Sequence, residues 1–185
     1  MLAAILAIIC GASVISCCSQ DDEPMVSPTD DSSQFVTLTD VVPDVILEIR
    51  YYGTYNFVGS RIDGYEEPTA LLTKQAADSL KKVSDDVMAQ GYRLKIYDAY
   101  RPQKGVDHFV RWAQDLEDTR MKPYFYPDLD KSVLFPQEYI CLKSGHTRGF
   151  TLDLTLFDTE WWHFTLRDEP FPHTYFTFPV KQLNK

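Results

Sequence analysis

Cysteine is scarce, with 4 among 185 residues. Cys10 lies in the apolar start of the chain and the others follow no framework spacing, so a disulfide-stapled scaffold is excluded. Cys141 reads as a small buried apolar residue. Cations are also short: 18 Lys and Arg face 27 Asp and Glu, a net charge of −9. Such a surface repels phosphate backbones and excludes nucleic acid as a partner. There is no internal repeat. The one strongly apolar run, Met1 to Ser16, is too short to span a bilayer comfortably and ends in small residues, the pattern of an export signal.

What is present describes one folded domain behind that signal. Hydrophobic residues make up 44% and aromatics 14%, enough to build a core in a chain of this length. Val14-Ile15-Ser16-Cys17 resembles the lipobox of bacterial lipoproteins, which makes Cys17 the expected lipidated residue; a plain signal peptide cut nearby is the alternative. The expectation is an exported, cell-envelope protein touching a membrane only through its lipid anchor. Residues 17–34, rich in Asp, Ser and Pro, read as a flexible tether, and the domain is expected over 35–185.

Val45 to Tyr51 is dense in β-branched and aromatic residues and predicts a strand. Thr73 as N-cap, apolar residues at Ala76, Leu80, Val83 and Val87, and Gly91 as a stop predict a helix. Tyr92, Leu94 and Ile96 alternate with Arg93, Lys95 and Tyr97, a half-buried strand ending at Pro102. A second helix is expected from about Lys104 to Leu116, and irregular structure over Tyr124 to Tyr139. Phe150 to Phe157, Trp161 to Leu166 and Tyr175 to Val180 read as strands. Helices early and strands late give an α+β domain, a mainly antiparallel sheet flanked by helices.

Three segments carry chemistry: Asp98-Ala99-Tyr100-Arg101-Pro102, Ser144-Gly145-His146-Thr147-Arg148-Gly149-Phe150-Thr151-Leu152-Asp153, and Glu160-Trp161-Trp162-His163. Hydrolytic zinc sites use three imidazole or carboxylate ligands and keep a fourth position for water. His146, Asp153 and His163 supply that set for one Zn2+ per chain. An acid inside the apolar run Phe150 to Phe157 is costly without a partner, and a metal is the natural one. Glu160, three residues before a ligand, is the candidate general base. Arg101 is placed to face a developing oxyanion or to act as a salt-bridge residue, and Ser144 to contact a substrate end. Trp161 and Trp162 read as packing around the site.

The pattern Ser-x-His-x-x-Gly-x-x-x-Asp, then Glu-x-x-His, with an upstream Tyr-Arg-Pro, resembles the zinc D-alanyl-D-alanine dipeptidases. The resemblance runs from about Phe35 to Val180 and includes Tyr55-Asn56-Phe57. It implies the hedgehog/D,D-peptidase fold, hydrolysis of D-Ala-D-Ala or a peptidoglycan-derived substrate in cell-wall metabolism, and the site roles given above. A peptidoglycan D,D-carboxypeptidase and a catalytically inactive zinc-binding envelope module stand as alternatives. One departure is expected to matter: family members carry several dozen residues between the Asp strand and Glu-x-x-His, and here a segment is lacking near 158–160. If the two flanking strands form a hairpin around Phe157-Asp158-Thr159, Asp153 opposes His163, about 5 Å apart.

Overall fold

The computed structural model describes residues 29–134, 140, 142–157, 162–165, 171 and 173–183. The expected signal 1–16, Cys17, Cys141, Glu160, Trp161 and the junction at 158–160 lie outside the described residues, as does the side chain of His163.

The chain first forms strand β1 (Phe35–Thr37), a single helical turn α1 (Leu38–Val41) and the short strand β2 (Ile46–Leu47). Strand β3 (Leu71–Thr73) returns antiparallel to β1, with Phe35 opposite Thr73. Helix α2 (Lys74–Met88) starts where Thr73 Oγ1 accepts the Ala76 N–H at 3.4 Å, satisfying one of the donors that a helix start leaves open. Its buried stripe is Ala76, Ala77, Leu80 and Val87, and the chain turns away at Gly91, where φ is +85°. Strand β4 (Leu94–Asp98) and helix α3 (Gln103–Gln114) follow, with Val106, Phe109, Trp112 and Ala113 inward. The aromatic stretch beyond contains the short helix α4 (Lys122–Phe125) and a 3-10 turn at Lys131–Val133. A second 3-10 turn, Gly145–Arg148, leads into β5 (Thr151–Leu156), and β6 is Trp162–Thr165.

The main sheet has the order β2-β4-β5-β6; β2 runs parallel to β4 and the other pairs are antiparallel. The α+β class is therefore as the sequence reads, with one parallel edge. The strand expected over Val45 to Tyr51 shortens to two residues, although Glu48 and Arg50 N–H still donate to Ile96 and Tyr97 carbonyls at 2.9 and 3.0 Å. The strand expected over Tyr175 to Val180 is corrected. Phe176 and Val180 make only isolated bridges, to Thr29 and Tyr65. The alternating aromatics there serve packing instead: Phe35 meets the rings of Tyr100, Phe176 and Phe178 edge-on at 5.0, 4.7 and 4.8 Å.

That cluster presses on Gly149, which closes the second 3-10 turn with φ +76°. A Cβ at Gly149 would lie 2.4 Å from Phe35 Cε1 and 3.1 Å from Thr73 Cγ2. Left-handed backbone costs a non-glycine residue about 1–2 kcal/mol, and forcing an atom into a packed core typically adds about 1–3 kcal/mol. Gly149→Ala is therefore expected to lower stability by about 2–5 kcal/mol, read as a lower urea midpoint at unchanged m-value. An unaltered midpoint would show that neither the left-handed backbone at 149 nor the contact with Phe35 carries that cost.

Candidate metal centre

The ladder between β4 and β5 has one irregularity, and it makes the site. Leu94, Lys95 and Ile96 oppose Leu156, Thr155 and Leu154 in step, but Asp98 rather than Tyr97 then opposes Asp153. Two residues on β4 answer one on β5, the arrangement of a β-bulge. A regular strand would have turned Asp98 to the face of Leu94 and Ile96; the extra residue brings it to the face of Lys95, Thr155 and Asp153. On the other side of β5, Asp153 opposes His163 on β6, the register that the hairpin expectation requires.

His146 approaches from the 3-10 turn. Ser144 caps this turn, its Oγ accepting the His146 N–H at 3.3 Å, and the His146 carbonyl accepts the N–H of Arg101 at 3.2 Å. The buried imidazole has its two nitrogens in different surroundings. Nδ1 is 2.7 Å from the Ala99 carbonyl, which can only accept, so Nδ1 carries the proton. Nε2 is then the lone-pair nitrogen, and it lies 3.5 Å from Asp153 Oδ1. Donors about 2.0–2.1 Å from a tetrahedral zinc sit roughly 3.3 Å apart. Spacing, tautomer and an N/O donor set therefore fit zinc, and the register delivers the backbone of a second histidine, His163, beside them.

Asp98 is the member of this cluster that sequence reasoning passed over. It is 1% exposed, and with His146 and Asp153 it forms the cluster of potential metal donors found among the described residues. Its oxygens are, however, already engaged. Oδ1 accepts the Tyr65 hydroxyl at 2.7 Å, and Oδ2 accepts Arg101 Nε and Nη2 at 3.1 and 2.8 Å. It also faces the protonated Nδ1 of His146, at 3.6 Å, not Nε2. Asp98 is thus the carboxylate that orients the site, the supporting role that metal centres need around their ligands. Burial pushes its pKa up, and Arg101 and His146 oppose the rise. Burial alone would pull Arg101 down, but Asp98 leads a set of neighbours that raise it, so the guanidinium stays charged. The same burial carries the Tyr65 hydroxyl well above its ordinary range, keeping it a donor. The only sequence signal for Asp98 was an acid closing a strand three residues before Arg101.

Arg101 is fixed in three directions. Asp98 holds its edge, the rings of Tyr51 and Phe109 each lie 5.0 Å from Cζ, and Nη2 is 4.0 Å from Asp153 Oδ2. The salt-bridge reading of this residue is what the geometry shows, with Asp98 as its main partner and Asp153 at the edge of reach. Nη1 has no hydrogen-bond partner among the described residues.

Comparison with known proteins gives a consistent picture. The family described as D-ala-D-ala dipeptidase (Peptidase_M15) matches residues 31–160. A D-alanyl-D-alanine dipeptidase of Enterococcus faecium is 31% identical over 198 residues, covering 80% of this chain and 98% of the relative. One of Streptomyces coelicolor is 28% identical over 200 residues, covering 80% and 99%; one of Enterococcus faecalis is 31% identical over 197, covering 79% and 98%. Since 80% of 185 residues is about 148, roughly 50 of the 198 positions matched with the E. faecium protein have no counterpart here.

The assignment of Asp98 can be tested without a substrate. Breaking a buried pair by removing one charge typically costs about 3–5 kcal/mol, so Asp98→Asn is expected to destabilise the fold on that scale in urea. Calorimetry of the variant should still show binding of one divalent cation, since His146 and Asp153 are untouched. Normal stability with cation binding abolished would make Asp98 a ligand instead.

Proposed function

The chain belongs to the D-Ala-D-Ala dipeptidase family, and from that premise we propose that it is a zinc metallopeptidase that hydrolyses D-alanyl-D-alanine to D-alanine in cell-wall metabolism. The observation that carries the reading is the meeting of His146 Nε2 with Asp153 Oδ1 at 3.5 Å, on a strand whose register opposes Asp153 to His163. In this proposal His146, Asp153 and His163 hold one zinc. When bound, zinc supplies Lewis acidity, which polarises a carbonyl and acidifies water.

The chain's own groups do the rest. Glu160 takes the proton from the attacking water and returns it to the leaving amine. Arg101, held by Asp98 and stacked between Tyr51 and Phe109, presents Nη1 to the oxyanion as charge develops on the carbonyl. A guanidinium locked in place before reaction pays no reorganisation cost at that moment, which is the source of its advantage. Ser144, beside His146 in the same turn, contacts a substrate end. Export and lipidation at Cys17 complete the proposal and place the activity in the cell envelope. Metabolic labelling with a radioactive fatty acid is expected to mark the protein and to be lost in Cys17→Ala.

A second reading is a D,D-carboxypeptidase acting on longer peptidoglycan stems. It is favoured by the roughly 50 unmatched positions of the enterococcal relative, if they fall near 158–160 and remove structure that would enclose a small substrate.

Purified protein is expected to contain about one zinc and to release D-alanine from D-Ala-D-Ala, activity being lost on chelation and restored by zinc. General acid–base groups typically contribute about 10²–10⁴-fold. Glu160→Ala should thus lower kcat by at least a hundredfold at unchanged zinc content. Turnover by the variant at the wild-type rate removes Glu160 from the mechanism, and zinc-loaded protein that leaves the dipeptide intact sinks the reading as a whole.

A further inference from the structure

Helix α3 opens two residues after Arg101 and presents Gly105, His108 and Arg111 at three-residue intervals, as neighbours along one side of the helix. A turn from the early chain, residues 62–65, lies along that side, closed by the Tyr65 N–H donating to the Ile62 carbonyl at 3.2 Å. Gly105 permits the approach: a Cβ there would stand 3.3 Å from Ile62 Cγ2, 3.4 Å from the Asp63 carbonyl and 3.3 Å from Arg101 Cγ. Further along the helix the turn is latched through Asp63. Its Oδ2 accepts Arg111 Nη2 at 2.5 Å, and His108 Nδ1 lies 3.2 Å from both Oδ1 and the Asp63 backbone nitrogen. A neutral imidazole accepts the Asp63 N–H and a charged one donates to Oδ1, so His108 holds the turn in either state, while Arg111 is always charged.

The same turn ends in Tyr65, whose hydroxyl donates to Asp98 Oδ1 at 2.7 Å. The other oxygen of Asp98 is gripped by Arg101, and the backbone of Arg101 leads through Pro102 into α3. These contacts close a circuit. It runs from Asp98 to Tyr65, through the turn to Asp63, across to the side of α3, and back along the helix to Arg101 and Asp98. One joint of the circuit is soft. Asp98 and Tyr65 are buried, whereas the side chains of Asp63 and Arg111 are 49% and 58% exposed, so the latch is the part that solvent and salt reach.

We propose that Asp63 is a positioning residue, which acts through His108, Arg111 and Tyr65 to fix the two grips on the Asp98 carboxylate and with them the aim of Arg101. For its effect on rate the inference rests on the proposed role of Arg101 at the oxyanion; its effect on the order of the Arg101 side chain does not need that reading. With the latch open, the turn and the start of α3 can part, and the guanidinium samples directions that miss the developing charge. Losing an interaction made only as that charge develops lowers kcat and leaves KM. Exposed ion pairs contribute little each, so the loss is severalfold and not complete.

The test sets Asp63→Ala beside Lys81→Ala, which removes a comparably exposed ion pair, Lys81 with Asp85, on α2. Asp63→Ala is expected to lower kcat for D-Ala-D-Ala by about threefold to fivefold at unchanged KM. It should also speed exchange of the Arg101 Nε proton, which donates to Asp98 Oδ2, by a similar factor, followed by nuclear magnetic resonance of nitrogen-15-labelled protein. Lys81→Ala should move neither quantity by as much as twofold. Salt at about 1 M, where exposed pairs are screened, should bring wild type within about twofold of Asp63→Ala. A raised KM with kcat intact, equal losses in the two alanine variants, or an Arg101 proton that exchanges at the wild-type rate overturns the assignment. If wild type leaves the dipeptide intact, the hydrolytic reading has failed and the exchange rate decides the latch by itself. Faster exchange in Asp63→Ala but not in Lys81→Ala upholds it, and no difference between the two refutes it.

Discussion

A carboxylate as deeply buried as that of Asp98 has to be answered by donors, and it draws them from distant parts of the chain. The hydroxyl of Tyr65 and two nitrogens of Arg101 bond to it, and the imidazole of His146 stands beside it. Leaving any of these groups unpaired in a dry interior costs more than the pairing gains, so the cluster is all or nothing. Its order is handed on. Arg101 can face the Asp153 carboxylate because Asp98 fixes its edge, and His146 can present Nε2 because the Ala99 carbonyl, next to Asp98, accepts a hydrogen bond from Nδ1–H.

Strand parity delivers these groups to one place. Side chains alternate along β4 and β5, so the hydrophobic set of Leu94, Ile96, Leu154 and Leu152 goes to the core and its neighbours to the other face. The bulge at Tyr97 shifts that alternation once, at the end of the strand. Without it Asp98 would enter the apolar layer and Arg101 would have no anchor. The site thus depends on an irregularity in an otherwise ordinary ladder.

Much of this was legible in the residues. Helix α2 announced itself through Thr73, its apolar spacing and Gly91, because caps and periodicity are local. The pairing of Asp153 with His163 followed from counting residues across a tight connection, since register in a hairpin is set by loop length. Asp98 was not legible: a bulge leaves no mark in a sequence, and an acid at a strand end looks like any turn residue. Tyr175 to Val180 misled for the opposite reason. Its alternating aromatics have the period of a strand, yet Phe176 and Phe178 are spent on the cluster around Phe35, a use that only the tertiary structure reveals.

The groups gathered around Asp98 come from distant parts of the polypeptide: Tyr65 is 33 residues from Asp98, and His146 is 47 from Ala99. Closing loops of that length carries an entropic cost that no single hydrogen bond repays. The surroundings that orient His146 and Arg101 are consequently assembled late, with the collapse that seats β5 against β4, and any local opening of the sheet dismantles them together.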